Sequence, residues 1–234
     1  MNSRYADIIW ENLLKVGVFL SLLTTVTVII LLAKEAWSFF NIVSISEFFS
    51  GIRWEPLIEP KSFGVRPLVI GTFLIAFGSL VIALPLGLFS AFYLSEMASP
   101  KIRGLLKPAL EILAGIPTVV YGYFAITFVT PMLRVVFPQI EIFNALSAAI
   151  VVAIMILPMI ASLCDDAFRA LPRSLREGAY ALGATSDEVI WGVLLPASFG
   201  RVVAAVMLAL SRAAGETMAV TLAAGSSPNS SFNL

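Results

Sequence analysis

Residues 177–196 read E-G-A-Y-A-L-G-A-T-S-D-E-V-I-W-G-V-L-L-P. Local chemistry makes this stretch two short helices around a glycine turn. Just upstream, Leu171-Pro172 offers a proline at a first helical position, where its missing N–H costs nothing. Residues 173–182 hold no helix breaker except Gly178. Gly183 suits a helix C-terminal position that needs a left-handed backbone. Thr185 and Glu188 have the T-x-x-E spacing of a capping box and start a second helix. Pro196 is expected to end or kink that helix. Such a unit is stiff enough to transmit a push and small enough to enter a cleft on a partner. Ala179, Tyr180, Leu182 and Val189 would supply the apolar contact, and Arg173, Arg176, Asp187 and Glu188 the charged rim. The same local signals also describe an ordinary helical hairpin joining two longer segments.

Those flanking segments are apolar. The chain is 59% hydrophobic and 13% charged, with mean hydropathy +0.95, where a soluble domain is about half apolar and a quarter charged. The excess has to face lipid. Net charge is zero, so no basic face points to nucleic acid. There is no histidine and one cysteine, Cys164. That excludes a disulfide within the chain and removes the usual zinc ligands and the commonest general base. No metal site and no catalytic residue is expected. No G-x-x-x-x-G-K-[ST] run occurs, so ATP, if it drives anything here, is bound by another subunit.

A helix needs about 20 mostly apolar residues to cross the hydrocarbon core. Five segments qualify: Val16 to Ala33, Pro67 to Leu94 with a kink at Pro85, Ala109 to Thr130 with Glu111 at the interface, Asn144 to Leu163 interrupted by Pro158, and Val202 to Ala224. The first reads as a retained span and not a cleaved signal, because its apolar run is long and no Ala-x-Ala-like site follows. Arg4, Lys15, Lys101, Arg103, Lys107, Arg169, Arg173, Arg176 and Arg201 fall on one side. Lys34, Arg53, Lys61, Arg66 and Arg134 fall on the other. This bias places the N-terminus and the 177–196 hairpin in the cytoplasm. Lys101, Arg103 and Lys107 read as an inside anchor for anionic lipids, with a coupling contact as the lesser reading. The outward loop from Lys34 to Arg66, with Trp37, Phe39, Phe40, Phe48, Phe49 and Trp54, is expected to lie along the membrane surface.

The hairpin resembles the cytoplasmic "EAA" loop of ABC-importer permeases: E-A-A, three residues, G, nine residues, I, one residue, L-P. Glu177, Ala179, Gly183, Leu195 and Pro196 match, Gly178 replaces the first alanine and Val193 replaces the isoleucine. The resemblance implies that this loop docks on a separate ATP-hydrolysing subunit, which carries the ATP and magnesium.

Arg212 and Glu216 lie inside the fifth apolar segment at i and i+4, where side chains share a helix face and can pair. An ionised group at the bilayer centre is costly, so both should face protein or a water-filled cavity. One reading is a structural ion pair. The other is an anion pathway, since arginine presents a planar set of donors suited to tetrahedral oxyanions, with Glu216 holding Arg212 and yielding as the anion arrives. Pro117, in the third segment, would free a backbone carbonyl where helices pack or line a cavity, as a gate or as a packing kink.

Arg212-Ala-Ala-Gly-Glu-Thr-Met-Ala-Val220 is similar to the R-A-x-G-E-T-M-A-V signature of phosphate ABC-importer permeases of the PstC type. The runs Phe63-Gly64-x-x-Pro67-Leu68, Gly71-Thr72 and Gly115-Ile-Pro-Thr-Val-Val-Tyr-Gly122 also resemble that family. It implies an all-α polytopic bundle of the type I importer fold in a bacterial or archaeal plasma membrane, with Arg212 and Glu216 on the substrate pathway; Thr217 adds a hydroxyl near them and is assigned to the same pathway. It also implies a second permease subunit of the PstA type, two ATP-binding subunits and a periplasmic or lipid-anchored phosphate-binding protein. The expected organisation is an N-terminal span and loop over 1–66 and a permease domain over 67–234, with the coupling loop at 165–200. A polar run after Gly225, with no closing span, suggests truncation before a sixth span. Rival readings are a permease for another oxyanion (sulfate, molybdate or phosphonate), an intramembrane enzyme, and a stand-alone carrier. The missing histidine and the lack of paired aspartates within the spans count against the enzyme.

Overall fold

A computed structural model describes residues 3–225, with side chains from Ile8 onward. It divides into two compact units, Met1–Val65 and Arg66–Leu234. The polar run after Gly225, on which the truncation reading rests, lies outside the described residues.

The first unit holds α1 (Ser3–Phe40), α2 (Ile45–Ser50) and a two-strand antiparallel ladder of β1 (Trp54–Glu55) and β2 (Ser62–Phe63). α1 runs seven residues past the expected end at Ala33, to Phe40. The loop aromatics pack on one another: Phe39 meets Phe40, Phe48 and Phe63 edge to face, and Trp54 meets Phe63. Edge-to-face contacts satisfy the ring quadrupoles while burying apolar area.

The second unit contains α3 (Arg66–Phe92), α4 (Pro100–Ala114), α5 (Thr118–Phe124), α6 (Thr130–Val136), α7 (Ala145–Arg169), α8 (Arg173–Ala181), α9 (Ser186–Val189), α10 (Leu195–Ala214) and α11 (Met218–Ala224). α7 is its centre and packs against α3, α4, α5, α10 and α11. Asn144 caps it, its side-chain oxygen accepting from the Ser147 backbone N–H at 2.7 Å. Small residues let neighbours come close. α3 presents the buried series Ala76, Ser79, Ala83, Gly87 and Ala91, and α10 the buried series Ser198, Val202, Ala205, Ala209 and Ala213. Both series step by three or four residues and so form one helix face. A Cβ on Gly87 would stand 2.7 Å from the Ile160 Cγ2, closer than real contacts allow.

Among the described residues, five helices are long and apolar enough to cross a membrane: Ile8–Phe40, Arg66–Met97, Thr118–Val136, Ala145–Arg169 and Ser186–Ala214. Three expectations are corrected. The third span begins at Thr118, not Ala109, because Pro117 lacks an N–H and disfavours helix at Ile116. The fourth is not interrupted: Pro158 is buried within an unbroken α7. The fifth starts well before Val202 and stops at Ala214, short of Ala224.

Among the described residues, three five-residue π turns punctuate the spans, at Tyr93–Met97, Ala125–Val129 and Ile190–Leu194. The last two stand directly before helices that carry a proline in their first turn, Pro131 and Pro196. A wider turn admits a residue that cannot donate to the helical ladder.

Replacing Gly87 with alanine should destabilise the detergent-purified protein by about 1–3 kcal/mol through overpacking of α3 on α7. Adding Ile160→Ala should recover part of the loss, read as a thermal melting midpoint.

Candidate functional site

Two helix breaks lie side by side. α4 ends at Ala114 and α5 begins at Thr118, separated by Gly115-Ile116-Pro117. α10 ends at Ala214 and α11 begins at Met218, separated by Gly215-Glu216-Thr217. Pro117 cannot donate to Leu113, and that carbonyl accepts instead from the Ile116 backbone N–H at 3.3 Å and the Tyr121 hydroxyl at 2.8 Å. One residue on, the Ala114 carbonyl accepts from Arg212 Nη2 at 3.0 Å. Arg212, in the last turn of α10, therefore ties one break to the other. α5 and α11 approach closely because Gly122 has no side chain: a Cβ there would lie 2.7 Å from Leu222 Cδ1 and 3.1 Å from Ala219 Cα.

The structure does not pair Arg212 with Glu216. α10 stops at Ala214, so the helical i, i+4 geometry never reaches Glu216, and among the described residues no ion pair joins the two. The Glu216 carboxylate instead accepts from the Ala219 backbone N–H at 3.0 Å, at the start of α11. Arg212 and Glu216 are half-buried, and Thr217 is exposed at the α11 cap position without a side-chain cap bond.

The 177–196 hairpin forms as its local signals require. α8 ends at Ala181, and Gly183 takes φ +85°, the left-handed backbone expected there. Thr185 and Glu188 make both bonds of the capping box. Pro172 is the cap residue, one position before the first helical residue. Pro196 does not end the second helix. The π turn at Ile190–Leu194 absorbs it, so α9 and α10 make one continuous span from Ser186. Glu177, Gly178, Gly183 and Pro196 are exposed, while Ala179 and Leu195 are half-buried against the core. Arg169, Arg173, Arg176, Glu177 and Tyr180 line a recess of about 410 Å³ beside α8.

Several residues assigned to the hairpin's outer surface are used inward. Val189 is fully buried. Glu188 is held by its cap. Arg176 is no rim residue: its Nε lies 2.8 Å from Glu96 Oε1, and its Nη2 donates to the Phe168 carbonyl at 2.7 Å. Leu182 and Tyr180 remain exposed. The lipid-anchor reading fails for two of its three cations. Arg103 Nη2 lies 2.6 Å from Asp165 Oδ2, and Lys107 bridges Asp165, at 3.3 Å, and Asp166. Lys101 stays exposed. Asp165 is wholly buried, so its charge is tolerable only with these partners.

Against this geometry, known proteins can be compared. A family model described as "Binding-protein-dependent transport system inner membrane component" matches residues 83–232, a range that holds both breaks and the entire hairpin. The chain belongs to that family. It is 39% identical over 196 residues to the probable ABC transporter permease protein YqgH of Bacillus subtilis (strain 168), covering 82% of this chain and 63% of that protein. It is 31% identical over 255 residues to the phosphate transport system permease protein PstC of Pasteurella multocida (strain Pm70), covering 100% of this chain and 79% of that one. Among solved structures, an inward-facing conformation of the MetNI methionine ABC transporter aligns with TM-score 0.52 at 26% identity, over 65% of this chain and 68% of that one. This chain thus has the all-α, multi-pass, type I importer fold. The Arg103–Asp165 and Arg176–Glu96 contacts carry no local sequence signal, because each joins residues far apart in the chain.

Asp165→Asn should destabilise the permease by about 3–5 kcal/mol, because Arg103 would be left half-buried without its counter-charge. Thermal unfolding in detergent measures the loss. An unchanged midpoint would show that Lys107 and Asp166 hold the cluster alone.

Proposed function

We propose that this chain is the membrane-spanning permease subunit of an ATP-driven importer that carries inorganic phosphate across the plasma membrane, with its N-terminus and hairpin cytoplasmic. The observation that carries the reading is Arg212. It is a half-buried cation in an apolar bundle, placed where two helix breaks meet, within the run Arg212–Val220. The PstC name of the Pasteurella multocida relative supports phosphate as the anion. Arg212 offers planar donors to an oxyanion, and one of them already engages a carbonyl that an anion could displace. Glu216 and Thr217 sit at the neighbouring break and complete the proposed pathway.

The remaining parts follow from the hairpin. Its exposed Glu177, Gly178, Tyr180 and Leu182 suit docking on an ATP-binding subunit, with Gly183 fixing the turn and Leu195 and Pro196 leading into the span. Two ATP-binding subunits, carrying ATP and magnesium, would close on nucleotide. A second permease of the PstA type would complete the pathway, and an external phosphate-binding protein would deliver the anion. This chain itself binds the anion and moves, and needs no cofactor of its own.

A second reading rests on the Arg212–Ala114 bond: Arg212 as a clamp between the two breaks, without contact to the anion. Labelled phosphate uptake by the permease with its companion subunits separates the two. Arg212→Gln should lower uptake by about a hundredfold or more, the scale of losing a buried charged partner, with the complex still assembled. Loss of the complex supports the clamp. Inhibition of wild-type uptake by sulfate or molybdate would replace phosphate with another oxyanion. Independently, Glu177→Lys should reduce co-purification of the ATP-binding subunit at normal membrane insertion. Co-purification at normal yield would remove Glu177 from the docking surface.

A further inference from the structure

The pair Glu96–Arg176 lies apart from the helix breaks and from the exposed face of the hairpin. Glu96 sits in the π turn Tyr93–Met97 that closes the α3 span, and its side chain is 6% exposed. Arg176 sits in α8 and is 16% exposed. One guanidinium thus faces the Glu96 carboxylate at 2.8 Å and donates to the Phe168 carbonyl, at the end of α7, at 2.7 Å. Beneath this contact Phe92 stacks on Phe168 with centroids 4.9 Å apart, and Trp191, in the π turn after α9, meets Phe92 edge-on at 5.5 Å. α8 meets both span ends through Arg176, and the arm after α9 meets the α3 end through the Trp191 ring.

α8 needs such a grip. None of its residues is fully buried, and it joins its neighbours through Ala170-Leu171-Pro172 on one side and Leu182–Thr185 on the other. Apolar packing alone would leave it free to swing about these links. Two ions withdrawn from water cost desolvation that a surface helix need not incur for stability.

We propose that Glu96 and Arg176 are a positioning pair that fixes the hairpin to the ends of the α3 span and α7. Displacement of the hairpin is then passed to those spans instead of being absorbed by bending at Leu171-Pro172. The inference rests on the reading of the hairpin as the docking element of an ATP-driven importer.

The test uses the whole complex in proteoliposomes. Arg176→Gln should leave ATP hydrolysis running but raise the ATP consumed per phosphate carried by roughly tenfold, a usual size for lost coupling between sites. Arg176→Lys, which keeps a cation able to donate to the Glu96 carboxylate or the Phe168 carbonyl, should bring the ratio back toward wild type. An unchanged ratio in Arg176→Gln, or Arg176→Lys no better than Arg176→Gln, overturns the proposal. A second readout needs no substrate. Nitroxide labels at Ser174→Cys and Met97→Cys should keep one separation before and after ATP in the wild type, and lose it in Arg176→Gln. Cys164 is buried and should stay unlabelled. A wild-type separation that changes with ATP overturns the tether. A complex that hydrolyses ATP and carries no phosphate counts against the substrate alone, and the label separation then decides the tether.

Discussion

A backbone carbonyl at the end of a helix has lost its intrahelical donor and needs another partner. Everything distinctive about the second unit depends on how that constraint is met at its two helix breaks. The Leu113 carbonyl is met by the Tyr121 hydroxyl, the Ala114 carbonyl by Arg212, and the Ala219 N–H by the Glu216 carboxylate. The first is local and needs only that α5 fold back one turn. The second joins residues 98 apart, so the α4 terminus is satisfied only when α10 stands beside it. Breaking α4 and bringing α10 beside it are therefore one event, whereas the second break is met within its own segment by Glu216.

What the sequence discloses follows the range of each interaction. Gly183, Thr185 and Glu188 act within a few residues of one another, and their turn and capping box form as their spacing predicts. The five apolar spans are also legible, since burial in lipid is a matter of composition along one segment. The break at Pro117 is half legible: the proline signals a freed carbonyl, but hydropathy runs smoothly across it and misplaces the span start. At Gly215-Glu216-Thr217 no proline marks the break, and the i, i+4 spacing of Arg212 and Glu216 invites a pairing that the interrupted helix forbids. The ion contacts of Asp165 and Arg176 are illegible because they depend on which helices become neighbours. A cation in a loop between spans looks the same in sequence whether it faces lipid headgroups or a buried aspartate.

The charged residues near the hairpin divide by burial. Asp165, Arg103, Glu96 and Arg176 are drawn in and paired, whereas Arg173, Glu177 and Asp187 remain outward. Buried pairs add little net stability but penalise every arrangement in which one member loses the other. Their value lies in selecting one relative placement of α4, α7, α8 and the α3 terminus. The stripes of small residues on α3 and α10 set how near those helices come to α7, and the ion pairs set where along its length the peripheral helices are held.

The π turns before Pro131 and Pro196 bear on how such a chain can change over evolutionary time. A π turn holds one more residue than the α-helical turn it replaces, and here the surplus residue and the proline accommodate each other. Losing the proline alone would leave a widened turn with no reason to stay wide. Deleting the surplus residue alone would rotate every later side chain by about a hundred degrees around the helix. For the turn at Ile190–Leu194 that rotation would carry Arg212 away from the Ala114 carbonyl. In an alignment, therefore, a one-residue gap near position 192 and the loss of Pro196 should travel together, and the hairpin and the Arg212 break should be inherited as one register.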